Sequence, residues 1–154
     1  LFRINRDTRF SSNKSPYKTH FSAAISPGGR HSSGPLYYFQ ISGPAESLVA
    51  GGVWMPDSSR LSDIRAFIKA HPKQADAVLY DKTLLDTFGG LDMEARLMRF
   101  PKGFDSGSEL LKLKSFTVSR AFDPLEYDEN SLLEHVTEGF SKMQPLMKFV
   151  REAR

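Results

Sequence analysis

Five cationic side chains and a histidine crowd around one carboxylate near the start of the chain. Arg3, Arg6, Arg9, Lys14, Lys18 and His20 accompany Asp7 alone. Guanidinium groups stay charged and present a planar fork of donors, so they grip phosphate, sulfate or carboxylate groups bidentately. Asp7 reads first as a clamp that pairs with one or two of the arginines, and the other cations are left to an anion or to solvent. His20, set among cations, has the chemistry of a neutral general base. On an exposed strand face it is simply a surface histidine.

A second basic segment lies far along the chain. Arg96, Arg99, Lys102, Lys112, Lys114 and Arg120 stand against only Asp105 and Glu109. If the two segments adjoin in space, they make one positive face or pocket; otherwise they are two solvated surfaces. Lys102 sits in Lys102-Gly103-Phe104-Asp105, a loop or turn between strand-like stretches. Lys114 and Arg120 share a strand parity, but Phe116 and Val118 lie between them, which favours a core face with charged ends over a cleft. The candidate ligand-binding set is therefore Arg6, Asp7, Arg9, Lys14, Lys18, His20, Lys102, Lys114 and Arg120. The expectation is that Arg6, Arg9 and Lys14 lie within one ligand's reach of Lys114 or Arg120.

Several chemistries have no support in the sequence. There is no phosphate-loop, dinucleotide, zinc-protease or nucleophile-elbow motif. With no cysteine there is no disulfide, thiolate nucleophile or thiolate metal site. The four histidines (20, 31, 71 and 135) lack ligand spacing, so neither a metal nor a cofactor is expected. No catalytic residue is assigned. No apolar run approaches the ~20 residues of a membrane helix, and a soluble cytoplasmic protein without a membrane partner is expected.

The elements that must position these residues follow from periodicity. The 154 residues, 40% hydrophobic and 25% charged with net charge +3, fit a single domain. Tyr17–Ser26 alternates as a half-buried strand, with Tyr17, Phe21, Ala23 and Ile25 toward the core. Leu36–Ser42, Ser47–Met55, Ala95–Phe100 and Lys114–Phe122 also read as strands. Gly51-Gly52 signals a bulge or a close backbone approach. Trp54 reads as a core anchor or the lining of a pocket mouth. Asp57 or Ser58 starts a helix with Leu61, Ile64, Phe67 and Ile68 buried. Two shorter helices follow, the second stopped by Gly89-Gly90. Glu109–Lys112 is a helical turn. Ser131–Ala153 is the clearest helix, with Leu132, Leu133, Val136, Phe140, Met143, Met147 and Val150 along one side and Pro145 able to divide it. Runs of strands followed by helices predict an α+β fold with a mainly antiparallel sheet and a long C-terminal helix.

The pattern Arg3-x-x-Arg6-Asp7-x-Arg9-Phe10-x-x-Asn13-Lys14-x-x-Tyr17-Lys18 resembles the signature of the domain of unknown function 2461 family, uncharacterised proteins of bacteria and fungi. Gly51-Gly52-Val53-Trp54-Met55-Pro56, Pro101-Lys102-Gly103-Phe104-Asp105 and Leu113-Lys114-Ser115-Phe116 with Ser119-Arg120 extend the resemblance over nearly the whole chain. It implies no known activity. It does imply a longer protein with an upstream amphipathic helical part, so a start at Leu1 leads to the expectation of a fragment. Three functions compete. The first is binding of a small anionic ligand on the basic face. The second is a protein-interaction or scaffold domain without catalysis. The third, ranked last, is single-stranded nucleic-acid binding, because most aromatics near the basic residues are needed for the core.

Overall fold

The computed structural model describes residues 1–2, 17–29, 34–43, 46–104 and 106–153. The fold is α+β. Four strands, β1 (Phe21–Ile25), β2 (Leu36–Ile41), β3 (Leu48–Val53) and β4 (Phe116–Ala121), form an antiparallel sheet in the order β1-β2-β3-β4. Five helices complete it: α1 (Ser58–Ala70), α2 (Pro72–Leu79), α3 (Lys82–Phe88), α4 (Glu129–Lys142) and α5 (Gln144–Glu152). Short 3₁₀ turns occupy Glu109–Lys112 and Pro124–Glu126.

Register explains which side of the sheet holds the core. Ala23, Phe39, Val49 and Arg120 stand across from one another in successive strands, and Ile25, Tyr37, Gly51 and Val118 form a parallel row. These rows share one face, because side chains alternate along a strand. That face meets α4 and α5. Tyr37 packs on Phe140 with ring centroids 5.0 Å apart, Gly139 abuts Val49, and Gly51 abuts the sulfurs of Met143 and Met147. Val49, Phe116, Val118, Ile64, Leu110, Leu146 and Met147 are fully buried there.

Local chemistry sets the helix ends. The Asp57 and Asp81 carboxylates accept from the N–H groups of Arg60 and Leu84, and Gly89 closes α3 in the left-handed region. Asp128 and Ser131 form a reciprocal cap on α4. The C-terminal helix is divided at Met143, with Pro145 in the first turn of α5, where a missing N–H costs no hydrogen bond. The paired glycines of β3 mark a close approach. A Cβ on Gly52, whose φ is +125°, would meet the carbonyl oxygen of Phe116 at 2.0 Å.

Four expectations need correction. The strand expected at Ala95–Phe100 is irregular: Leu97 donates to the carbonyl of Lys112 and Arg96 to that of Met93, bonds that do not make a ladder, and Met98 is 92% exposed. Phe21 and Ile25 face the helix side of the sheet yet are mostly exposed, and Tyr17, expected in the core, is 61% exposed. The reason is reach: among the described elements, α4 and α5 make their main sheet contacts with β3 and β4 and not with the β1 edge. Leu133 likewise points to solvent. Trp54 is not a core anchor. It follows the last residue of β3 and is 74% exposed, beside Met55 in a left-handed conformation (φ +48°).

Candidate functional site

Arg120 is the sequence-predicted cation with the most developed surroundings. Along β4 the alternation places Phe116, Val118 and Arg120 on the helix side. The first two are fully buried, and Arg120, at the strand's end, is half-buried. Strand parity thus makes a core face with a charged end. Its Nη2 stands 3.3 Å from both ring nitrogens of His135 on α4. Its Nε is sealed from solvent and has no acceptor. Among the described residues no carboxylate pairs with this guanidinium.

His135 is held from three directions. Its ring lies 4.9 Å from that of Phe122 and 4.6 Å from that of Tyr127, and those two rings meet edge-on at 5.8 Å. The Asp128 cap fixes where α4 begins, and the Asp123 carboxylate, accepting from Leu125, fixes the turn that brings Tyr127 back to the strand end. Burial among these rings holds the His135 pKa below its ordinary value. The positive charge of Arg120 lowers it further, and Glu138 on the next turn of α4 opposes both. A neutral imidazole keeps one acceptor nitrogen, which is what Arg120 requires of it.

The other described candidates do not converge on Arg120. Lys114 is exposed just before β4, six residues away, about 20 Å along an extended strand. Lys18 and His20 precede β1; β1 is three strand spacings, about 14 Å, from β4, and the two residues lie five and three positions before Ala23, the β1 residue in the row of Arg120. The Lys18 ammonium lies over the Phe2 ring at 5.8 Å. Lys102 is exposed in a turn whose Gly103 has φ +88° with open space around it; the glycine serves the turn, and its carbonyl accepts from Lys69. Arg6, Asp7, Arg9 and Lys14 lie outside the described residues.

One further surface feature stands apart. Phe88, Gly89, Leu91, Asp92, Glu94 and Ser119 line an open depression of about 300 Å³ whose charges are acidic, the wrong sign for an anion. Among the described residues no group of three or more potential ligands could hold a metal ion, and no helix is long and apolar enough to cross a membrane. His135, Tyr127 and Phe122 escaped the sequence reading. Their partners lie on other elements, and no local spacing announces a ring cluster built between a strand and a helix.

A family model described as conserved hypothetical protein (DUF2461) matches residues 1–149. The expectation of a missing upstream part finds no support in that match. No curated protein and no solved structure matches the chain.

Proposed function

The chain belongs to the DUF2461 family, and we propose that it is an anion-binding domain that takes a phosphate or carboxylate group on Arg120. The observation that carries this is the half-buried guanidinium with no carboxylate partner among the described residues and an imidazole at Nη2. A half-buried cation without a counter-charge has donor capacity left for an oxyanion. Arg6, Arg9 and Lys14 are proposed as further ligands on the strength of their types and spacing.

The test is thermal unfolding with phosphate, sulfate and dicarboxylates, each matched to chloride at equal ionic strength. A site-specific anion stabilises by ~2.7 kcal/mol at a hundred times its dissociation constant. The shift should disappear in Arg120→Ala. Equal shifts from all salts would reduce the effect to screening and remove the proposal. A second reading, an interaction domain without catalysis, is favoured by the adjacent exposed side chains of Trp54 and Met55. It predicts that Trp54→Ala leaves anion-dependent stability intact and abolishes binding to a partner.

A further inference from the structure

We infer that anion binding at Arg120 is coupled to the uptake of one proton by His135, so that a dianion such as sulfate binds more tightly as the pH falls. The inference rests on the anion reading of Arg120 and adds a regulation to it.

Without an anion, the His135 ring must serve Arg120 as an acceptor. Arg120 Nη2 is 3.3 Å from both imidazole nitrogens. Whichever tautomer is present, a neutral ring has one lone pair to offer a donor; a protonated ring has none. Protonation therefore withdraws the acceptor that the ring offers this guanidinium and sets two cations in contact, against the apolar rings of Phe122 and Tyr127. The charged groups that act on the ring are Arg120, from β4, and Glu138, from α4 itself; Tyr127 adds a phenol from the segment after the second 3₁₀ turn. Glu138 opposes the other effects but is outweighed, since the net shift of the ring is toward the neutral form.

An anion on Arg120 reverses this balance. It supplies the acceptor that the neutral ring had provided and cancels the charge that opposed protonation. The ring then gains a proton and becomes a second donor to the same anion. Linkage makes the effect reciprocal: an anion that raises the proton affinity of His135 is itself bound more tightly by the protonated protein.

Sulfate is the probe, because it remains a dianion between pH 5 and 8. Calorimetric titration of the whole chain should show affinity rising as pH falls, by up to about ten-fold per pH unit for one linked proton. In buffers of different ionisation enthalpy it should report net proton uptake. The imidazole resonance of His135, assigned by its loss in His135→Asn, should titrate at higher pH with sulfate than without. His135→Asn keeps an amide oxygen for Arg120 and should bind sulfate with an affinity independent of pH. Sulfate binding in the wild type without proton uptake, or a pH dependence unchanged in His135→Asn, would overturn the coupling and leave the anion site standing. Absence of sulfate binding in the wild type, or full binding in Arg120→Ala, would overturn both.

Discussion

The backbone N–H of Met55 donates to the hydroxyl of Ser115 at 2.9 Å, and this bond pins the one non-glycine residue among the described residues that lies in the left-handed region. Ser115 is buried at the entrance to β4, while Met55 is 65% exposed at the exit of β3. Ser115→Ala should destabilise by ~1–2 kcal/mol, measured by urea denaturation, because it leaves a strained N–H without its partner. Met55→Asn should stabilise by ~0.5–1 kcal/mol, since asparagine tolerates this conformation and little packing is lost.

Gly52 tests the tight contact between β3 and β4. Its φ of +125° and the 2.0 Å approach to the Phe116 carbonyl leave no room for a methyl group, and the obstacle is backbone. Gly52→Ala should cost on the order of 3 kcal/mol or more. Gly43→Ala, where nothing lies within 4 Å, should change stability by less than ~0.5 kcal/mol. Comparable losses at the two positions would show that the contact is relieved by a small shift of the strands.

Core truncations should separate α4 from α5. Met147 is fully buried against Gly51, and Met147→Ala should cost ~2–5 kcal/mol. Phe140 is only half-buried, with its ring on Tyr37. Phe140→Ala should cost about 2 kcal/mol, less than the ~3–5 kcal/mol of a fully buried phenylalanine.

Stability should fall in mild acid through His135. Burial and then the Arg120 charge hold this imidazole below its ordinary value of 6.5 in the folded protein. The unfolded chain therefore takes up the proton first as pH drops. The contribution is complete above about pH 6.5, declines below it, and is lost once pH has passed through the lowered folded value. Urea denaturation in chloride at pH 7.5 and 5.0 should show a smaller loss for His135→Asn than for the wild type. Equal losses would place the acid sensitivity elsewhere.

Much of the fold was legible in the chain. Period-2 stretches gave β1 to β4 with ends displaced by at most four residues, and Asp57, Gly89 and Pro145 marked helix boundaries through capping and the missing proline N–H. What periodicity lacks is depth. Phe21, Ile25 and Trp54 carry the right side chains for a core, but the main sheet contacts of the described helices α4 and α5 fall on β3 and β4, and all three side chains are mostly exposed. Ala95–Phe100 has strand composition without a neighbour to pair with. For the site, the alternation of Phe116, Val118 and Arg120 correctly made a charged end to a core face. The partner of Arg120 was not legible, because His135 reaches it from a different element, and that placement depends on how α4 lies across β3.

Four of the five methionines of the chain divide by the way α5 seats on β3. Met98 and Met55 are 92% and 65% exposed, whereas Met143 and Met147 have no exposed surface and rest their sulfurs on Gly51. Peroxide must therefore reach the first pair at the rate of free thioethers and the second only when the helix lifts from the sheet. Once oxidised, Met143 or Met147 carries a sulfoxide too polar and too large to return to the glycine surface. The junction thus acts as a one-way recorder: the fraction of doubly protected sulfur that survives a timed exposure counts how often the helix pair has opened.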